Sequence, residues 1–408
     1  MAQSKMGGMK QVKFADLVEL SAPLRSTFRG PLGGPLNRVA KALDDKAESP
    51  SANSQAVQLG TVRDSISAVA LRALARIRSA IFLGESFMLP LIELGVHRKR
   101  PQTPFDDPKL FASIRTSLNE LLEADIERIE AGVYPPQVLE VESPWSHVQR
   151  LPKLFVEGVR ASIRRREKRS REFGPQAKSL LRGLPEYYQR NFHFQGDGYL
   201  SDQSAAIYEH QVEVLFGGAA DAMRRLIIEP MRRHFDSKDG EGLRFLELGA
   251  GTGRTTQFVR LAFPKAKIVA LDLSSPYLKR AQKQLARFEL VDFVQGDAAA
   301  TVFRDSEFDA VYSVFLFHEL PEKVRVSVLN ESHRLLKSNG FFGFVDSAQL
   351  GDRPDFDTAL LTFPQQYHEP FYRNYVETPM VPLLKTAGFE LVQDQLGFFS
   401  KMIAARKI

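Results

Sequence analysis

A glycine-rich loop is the part of the sequence whose residue types and spacing most clearly suggest chemistry. The loop reads LELGAGTGRTT, from Leu246 to Thr256, and lies between a predicted strand and a predicted helix. Its glycines, Gly249, Gly251 and Gly253, permit a sharp turn and a close approach of the backbone to a ligand, because no Cβ is in the way. This context is typical of a loop that binds a nucleotide-like ligand.

The residues around these glycines discriminate between two classes of ligand. A dinucleotide-binding loop has the pattern G-x-G-x-x-G, whose last glycine would fall where this sequence has Arg254. Glu247, on the strand before the loop, would repel a pyrophosphate. The observed pattern E-x-G-x-G-x-G therefore favours a ligand that carries a cation near the loop, and it argues against a nicotinamide dinucleotide and hydride transfer.

The elements that must position this loop are short β-branched or aromatic runs, which alternate with helical segments beyond about Gly242. Such alternation predicts an α/β fold with a parallel sheet covered on both faces, and ligands then bind beyond the carboxyl ends of the strands. The last strand is expected to pair antiparallel beside the sixth. The predicted strands are 243–248, 266–272, 290–295, 308–314, 341–346, 389–394 and 398–407.

Residues 1 to about 185 are predicted to be helical throughout. From Val62, apolar residues at spacings of three and four, among them Val69 and Ile77, predict one face of an amphipathic helix. A second helix is predicted after Asp107, which can cap it.

From about residue 200 to 408 the sequence resembles the class I S-adenosylmethionine (SAM)-dependent methyltransferases, in the small-molecule branch that includes the ubiquinone and menaquinone methyltransferases. Four motifs occur in the family's order, each at the carboxyl end of a strand: the glycine loop, ALDLS around Asp272, QGDAA around Asp297, and FLFHEL from Phe315 to Leu320. The resemblance implies a Rossmann-like, seven-stranded, mostly parallel sheet with helices on both faces, preceded by an all-helical N-terminal domain. The expected divisions are a helical N-terminal domain at 1–185, lid or linker helices at 186–240 and a SAM-binding domain at 241–408.

The same resemblance implies roles for the cofactor-binding residues. Asp272 would accept hydrogen bonds from both ribose hydroxyls, and Asp297 would hold the adenine amino group. The segment that begins at Phe315 would flank the methionine part of SAM, and Tyr199 would help to enclose it. Simpler structural roles stay open, since Asp272 could cap the next helix and Asp297 could stabilise a turn. The residues expected to contact SAM are Glu247, Gly249, Ala250, Gly251, Gly253, Asp272, Leu273, Asp297, Ala298, Phe315 and Tyr199.

The expected reaction is transfer of the SAM methyl group to a small or medium-sized, partly apolar metabolite. Most catalysis of such an in-line displacement comes from holding the acceptor against the methyl group. His318, after the fourth strand, is the first candidate for a base, with capping or packing as the alternative. His193 and Tyr188 are further catalytic candidates, although their aromatic segment could instead join the helices to the sheet. The acceptor pocket is expected to include Tyr367, His368, Glu369, Tyr372 and Tyr375.

Composition restricts the remaining chemistry. Because none of the 408 residues is a cysteine, thiolate zinc sites, iron–sulfur clusters and cysteine nucleophiles are excluded. The eight histidines have no metal-binding spacing, so no metal ion is predicted, although His193, His318 and His368 could cluster at the mouth of the sheet. No signal peptide or transmembrane helix is recognisable, and a cytoplasmic location is expected.

The net charge of +6 arises from 55 Lys and Arg against 49 Asp and Glu, and the positive excess lies in the first 180 residues. It includes a predicted basic helix at 160–171, for which a helix docked by its apolar face, with a solvated basic end, is the simplest explanation. An anionic membrane surface or an acidic protein partner are alternatives. An RNA methyltransferase is disfavoured because FLFHEL is not an N-P-P-Y-like motif. A non-methylating displacement of the sulfonium and a non-catalytic scaffold are the other functional alternatives.

Overall fold

The computed structural model of the protein describes residues 68–87, 92, 95, 107–140 and 144–408. These residues belong to one compact unit. Val62, from which the first helix is predicted to start, lies outside the described residues. The all-helical N-terminal domain and the boundaries near residues 185 and 240 stay predictions.

Seven strands within the described residues form one sheet. In chain order they are β1 (Arg244–Leu248), β2 (Lys267–Asp272), β3 (Val291–Gln295), β4 (Phe308–Val314), β5 (Leu336–Ser347), β6 (Phe389–Gly397) and β7 (Ser400–Lys407). Their spatial order is β3-β2-β1-β4-β5-β7-β6. The pairs among β1 to β5 are parallel, and β7 is antiparallel to both β5 and β6. The predicted α/β fold, with a mostly parallel sheet and an antiparallel last strand, is confirmed.

The strand order reverses at β1, which has β2 on one side and β4 on the other. Leu246 of β1 is in register with Val269 of β2 and with Val311 of β4. Connections that leave on opposite sides of a central strand open a crevice beyond its carboxyl end, where α/β proteins bind ligands. The glycine loop follows β1 directly and therefore lies at this crevice.

The helices surround the sheet and precede it in the chain. The described helices are α1 (Ala68–Ser86), α2 (Pro108–Glu130), α3 (Pro144–Arg166), α4 (Pro175–Leu180), α5 (Asp202–Leu215), α6 (Ala220–Arg225), α7 (Ile228–His234), α8 (Arg254–Ala262), α9 (Ser275–Gln284), α10 (Glu322–Leu335), α11 (Asp357–Tyr367), α12 (Tyr372–Glu377) and α13 (Met380–Thr386). Within the described part of the chain, no helix has the length and hydropathy of a membrane-spanning segment.

Hydrophobic side chains bury both faces of the sheet. Along β1, Phe245 packs in a cluster with residues of α2, α6 and α8. The next apolar residues, Leu246 and Leu248, belong to a second cluster with residues of α10, α12 and α13. A strand that is buried on both faces reads as a nearly continuous apolar run, which is why these strands are recognisable in the sequence.

The buried face of α1 differs from the predicted one. Val69 and Ile77, predicted on the apolar face, are 75% and 46% exposed, whereas Leu71, Ala75 and Phe82 are buried. Ion pairs from the arginines of this helix to α2, α5 and α6 fix the observed orientation. The prediction was therefore wrong about which side of the helix faces the core.

The second predicted helix is confirmed as α2. Asp107 caps it, since its carboxylate accepts hydrogen bonds from the backbone N–H groups of Lys109 and Leu110 at 2.9 and 3.3 Å. The predicted basic helix at 160–171 ends earlier, because α3 stops at Arg166. Part of its charge is internal, since Arg164 donates to the carbonyl of Phe194 at 2.6 Å. The basic end is therefore only partly solvated, since Arg164 is turned inward whereas Lys168, Arg169 and Arg171 are exposed.

A buried ion pair connects α2 to α6. Arg225 donates to both carboxylate oxygens of Asp125, with Nε–Oδ1 and Nη2–Oδ2 distances of 2.9 and 2.6 Å. Tyr134 adds a hydrogen bond from its hydroxyl to Asp125 Oδ1 at 2.6 Å. Both charged side chains are only 2% exposed. A charge at this depth needs its partner, because water cannot solvate it.

We expect Asp125→Asn to lower the free energy of unfolding by about 3 to 5 kcal/mol, since Arg225 would keep an unbalanced buried charge. Chemical denaturation measures this change. Asp305→Asn is the matched control, because Asp305 pairs with Arg334 at 2.6 Å but is 78% exposed. The control should lose less than about 1 kcal/mol. Equal losses in the two variants would contradict the importance of the buried pair.

Candidate functional site

Two cavities lie at the carboxyl ends of the central strands. The first, called the cofactor cavity below, is lined by the glycine loop, by the ends of β2 and β4, and by aromatic residues from the segment before α5. The second, called the acceptor cavity, has a volume of about 530 Å³ and a mostly apolar lining that includes residues of α1, α2, α3 and α11. Tyr208, Phe315 and Glu319 line both cavities, so the two spaces meet at these side chains.

The glycine loop is left-handed at each predicted glycine. Gly249, Gly251 and Gly253 have φ values of 68°, 56° and 83°. A Cβ on Gly251 would have only Tyr277 within 4 Å, at 3.9 Å, and would project into open space at the cofactor cavity. A Cβ on Gly253 would lie 2.8 Å from Leu285, so this glycine allows close packing of α8 against α9. Gly249 and Ala250 line the cavity beside Gly251.

Glu247 points into the same cavity from β1. Both of its side-chain hydrogen bonds go to Oε2, from the hydroxyls of Thr256 at 2.6 Å and Tyr312 at 3.0 Å. The other oxygen, Oε1, takes part in neither bond. Burial raises the pKa of Glu247 to about 7, although the two hydroxyls lower it. A cationic ligand group beside the loop would stabilise the ionised carboxylate, as the sequence suggests.

Asp272 ends β2 and joins the loop to the next helix. Its Oδ2 accepts from the backbone N–H of Gly251 at 2.8 Å, and its Oδ1 accepts from Ser274 at 2.7 Å. The cap of α9 is Ser274, whose hydroxyl accepts from the N–H of Tyr277, so Asp272 is not the helix cap. Each carboxylate oxygen has more than one lone pair and keeps acceptor capacity for a ligand hydroxyl. Leu273 lines the cavity beside it.

In the segment after β3, the residues on either side of Asp297 contribute to the wall of the cofactor cavity. Gly296 and Ala298 line the cofactor cavity. The carboxylate of Asp297 accepts from the N–H of Ala299 at 2.9 Å, within its own turn. This is the alternative turn role that the sequence leaves open, and the predicted contact of Asp297 with adenine stays a prediction.

An aromatic layer covers the cofactor cavity. Tyr188 and Tyr199 line it, with their ring centroids 6.1 Å apart. Phe192 stacks on Tyr199 at 5.4 Å with an interplanar angle of 11°. Ser274 fixes this layer to the sheet domain by donating its hydroxyl to the backbone oxygen of Tyr199 at 2.6 Å. Burial raises the pKa of Tyr188 well above its ordinary value, so its hydroxyl is neutral.

His318 lies in a 3₁₀ turn after β4 and lines the acceptor cavity. Its Nδ1 is 2.5 Å from Oδ1 of Asp346, and the other oxygen of Asp346 accepts from the N–H of Phe317 at 2.7 Å. Burial lowers the pKa of His318, but the charge and hydrogen bond of Asp346 outweigh this effect and raise the pKa to about 10. The carboxylate thus fixes the ring and keeps it protonated near neutral pH, so Nε2 can donate a hydrogen bond. A pKa this high does not favour the predicted role of His318 as a base.

His193 lies beside two acidic residues at the boundary of the cavities. Its Nε2 is 3.2 Å from Oε1 of Glu369 and 3.9 Å from Oε1 of Glu319. Tyr199 donates its hydroxyl to Glu319 at 2.5 Å. Burial, together with the charges of the neighbouring histidines, lowers the pKa of His193 to about 3, so its ring is neutral. Burial raises the pKa of both carboxyls.

The predicted acceptor-side residues are distributed unequally around the acceptor cavity. Tyr367 and Tyr372 line it, and Tyr372 shares a 2.7 Å hydrogen bond with the hydroxyl of Ser347. Tyr375 is buried behind them and donates to the carbonyl of Ser347 at 3.1 Å. The ring of His368 packs against Phe194, with ring centroids 5.0 Å apart and an interplanar angle of 40°.

The structure brings together most of the predicted site residues and adds two that the sequence analysis did not select. Glu319 lies in the FLFHEL motif beside His318, and Asp346 is the last residue of the predicted strand 341–346. The rule that selected Asp272, an acidic residue at the carboxyl end of a buried strand, also applies to Asp346. Of the possible cluster of His193, His318 and His368, the structure places His318 and His368 near enough to His193 that, besides burial, their charges lower its pKa. The ligand atoms grouped with His193 are those of Glu319 and Glu369, whereas His318 is paired with Asp346.

Comparison with known proteins identifies relatives of the second half of the chain. Residues 245–340 match the family described as a methyltransferase domain. A fatty-acid O-methyltransferase from Mycolicibacterium smegmatis is 34% identical over 150 residues, which are 36% of this chain and 53% of the relative. The chain thus spans about half the length of that relative.

Two further comparisons cover a larger share of the related protein's length. A demethylmenaquinone methyltransferase from Thermotoga maritima is 31% identical over 220 residues, which are 49% of this chain and 90% of the relative. The crystal structure of a SAM-dependent methyltransferase from Aquifex aeolicus is 20% identical, with a TM-score of 0.33 over 46% of this chain and 97% of that one. On the match to nearly the whole Thermotoga maritima relative, the chain belongs to the class I SAM-dependent methyltransferases, whose cofactor is SAM.

Proposed function

We propose that the protein transfers the methyl group of SAM to a partly apolar, small or medium-sized metabolite in the acceptor cavity. The observation that carries the proposal is the meeting of the two cavities at Phe315 and Glu319. Fatty-acid and demethylmenaquinone methyltransferases among the relatives support an acceptor with a large apolar part.

The cofactor cavity fits SAM on two observations. The surface beside Gly251 is open where a Cβ would project, and Asp272 keeps acceptor capacity beside it. We assign the ribose hydroxyls to Asp272 and the adenine to the space beside Leu273 and Ala298. The free oxygen of Glu247 faces the cationic part of SAM.

The residues between the cavities prepare the reaction by positioning and by excluding water. When bound, SAM supplies an electrophilic methyl group: the acceptor atom forms a bond to the methyl carbon while the carbon–sulfur bond breaks and its electron pair stays on sulfur. Tyr188 and Tyr199 shield this region from solvent. His318, fixed by Asp346, orients a polar atom of the acceptor.

The helical part of the chain enlarges the acceptor site in this proposal. Side chains of α1, α2 and α3, among them Leu83, Leu118 and Leu154, line the acceptor cavity together with Phe363 of α11. An apolar lining of this extent favours burial of an apolar acceptor by roughly 25 cal/mol for each Å² removed from water. The catalytic domain alone would leave much of that surface open.

Calorimetric titration with S-adenosylhomocysteine tests the cofactor site. We expect Gly251→Ala to weaken binding at least about tenfold, or 1.4 kcal/mol, because the new methyl group projects into the cofactor cavity. Gly351→Ala is the matched control, since Gly351 is also left-handed, at φ 84°, with no atom within 4 Å of a built Cβ. Failure of the wild-type protein to bind, or equal affinity of the Gly251 variant, would reject the assignment.

The turnover rate of a His318 variant tests whether this residue takes part in the reaction. With radiolabelled SAM and a panel of long-chain carboxylic acids, phenols and quinols, we expect His318→Ala to reduce turnover at least about tenfold while the affinity for S-adenosylhomocysteine is kept. His333→Ala is the control, because this ring packs on Phe389 outside both cavities. Unchanged turnover in His318→Ala would indicate that His318 has only a packing role. Methylthioadenosine as the product, in place of S-adenosylhomocysteine, would contradict methyl transfer.

A further inference from the structure

We propose that His193, Glu319 and Glu369 bind a divalent metal ion at the boundary between the cofactor and acceptor cavities. One ligand atom from each residue lies within 4.8 Å of the others. The His193 Nε2 is 3.2 Å from Glu369 Oε1 and 3.9 Å from Glu319 Oε1. Nitrogen and oxygen ligands about 2.1 Å from one ion are themselves about 3 to 3.5 Å apart, so small side-chain movements complete the site.

An unpartnered carboxylate provides independent support. The side chain of Glu369 is 0% exposed. Neither of its oxygens has a hydrogen-bond partner among the described residues, because the contact with His193 lacks hydrogen-bond geometry. A buried carboxylate is unfavourable without a compensating cation or donors. A divalent ion supplies the missing partner and balances the two negative charges of Glu369 and Glu319.

The donor set indicates which ions fit. One neutral imidazole and two carboxylates, without a thiolate, suit first-row ions such as Mn²⁺, Fe²⁺ and Zn²⁺. Tyr199 supports the site from outside, since its hydroxyl bond fixes the carboxylate of Glu319. The three residues come from the segment before α5, the turn after β4 and the chain after α11, so no local spacing in the sequence reveals them.

The site also suggests the acceptor chemistry, an inference that rests on the proposed function. Three protein ligands leave coordination positions open. His193 and Glu319 line the acceptor cavity, so an open position is available to a polar atom of the acceptor. Because these ions accept oxygen ligands, an acceptor with a carboxylate or hydroxyl at the end of an apolar body would be held next to the methyl donor.

A second group of comparable composition gives a contrast. Glu85, His147 and His210 also have ligand atoms within 4.8 Å of one another. There each carboxylate oxygen already contacts a histidine, at 2.5 and 2.7 Å, and Arg150 donates to the other nitrogen of His210 at 3.3 Å. Its hydrogen bonds are satisfied without an ion, so this group is the natural control.

The test measures metal binding by the full-length protein. After treatment with a chelator and dialysis against Mn²⁺ or Zn²⁺, we expect about one ion per chain by elemental mass spectrometry. Glu369→Gln and His193→Asn should each weaken binding of the ion at least about tenfold. Asparagine is chosen because it tolerates the left-handed backbone of His193, whose φ is 56°. His147→Gln should keep the full stoichiometry.

Titration of every variant with S-adenosylhomocysteine shows whether the cofactor domain is folded, independently of the metal. Should Glu369→Gln fail to fold, Glu319→Gln and His193→Asn decide the question. The proposal is overturned if the wild-type protein binds neither ion, if Glu369→Gln keeps the ion, or if His147→Gln loses it. A protein that binds the ion at this site but transfers no methyl group would support the metal site and reject the proposed function.

Discussion

The arrangement of the cofactor cavity depends on the ion pairs made by the buried carboxylate of Asp221. It pairs with Arg78 of α1, Arg224 of α6 and Arg254 of α8, at 2.6, 3.2 and 2.5 Å. Arg254 directly follows Gly253 and is the first residue of α8, so the ion pair with Asp221 fixes the end of the glycine loop. Because buried charges are stable only when paired, these helices and the loop must take their positions together. Arg254, which stands where a dinucleotide-binding loop has its last glycine, thus connects the loop to α1 and α6 through Asp221.

The fold was predictable where local pattern decides it. The strands are apolar runs between helical segments, and the sequence predicts each of them to within a few residues, except that β5 begins at Leu336, five residues early. The orientation of α1 was not predictable, because Val69 and Ile77 have the right spacing for a buried face yet lie outside. Arginines on the same helix pair with residues more than 45 positions away, and no local pattern reports such partners.

The candidate site also has one part that local sequence patterns predict and another that depends on residues far apart in the chain. Gly251 and Asp272 stand in a local motif, and the structure joins them by a hydrogen bond between positions 21 residues apart. Asp346 meets His318 across 28 residues, through the parallel pairing of β4 and β5. The grouping of Glu369 with His193 requires the whole tertiary fold. Local sequence patterns therefore locate residues at the cofactor cavity, whereas the contacts among the side chains at the acceptor cavity depend on the tertiary fold.

In the proposed reaction, the polar side chains of His193, His318, Glu319 and Glu369 would determine which atom of an apolar acceptor lies next to the methyl group. Apolar contacts are non-directional and fix the depth of an acceptor more than its orientation. Orientation has to come from groups such as His318, Glu319 and Glu369, which are surrounded by apolar and aromatic side chains. Electrostatic interactions are stronger in such surroundings than in water, so a misplaced polar atom is strongly disfavoured there. In the proposed reaction, selectivity for the acceptor body and selectivity for the methylated atom would therefore reside in different parts of the chain. The first would lie mainly in the helices, and the second at the ends of β4 and β5 and in the chain after α11.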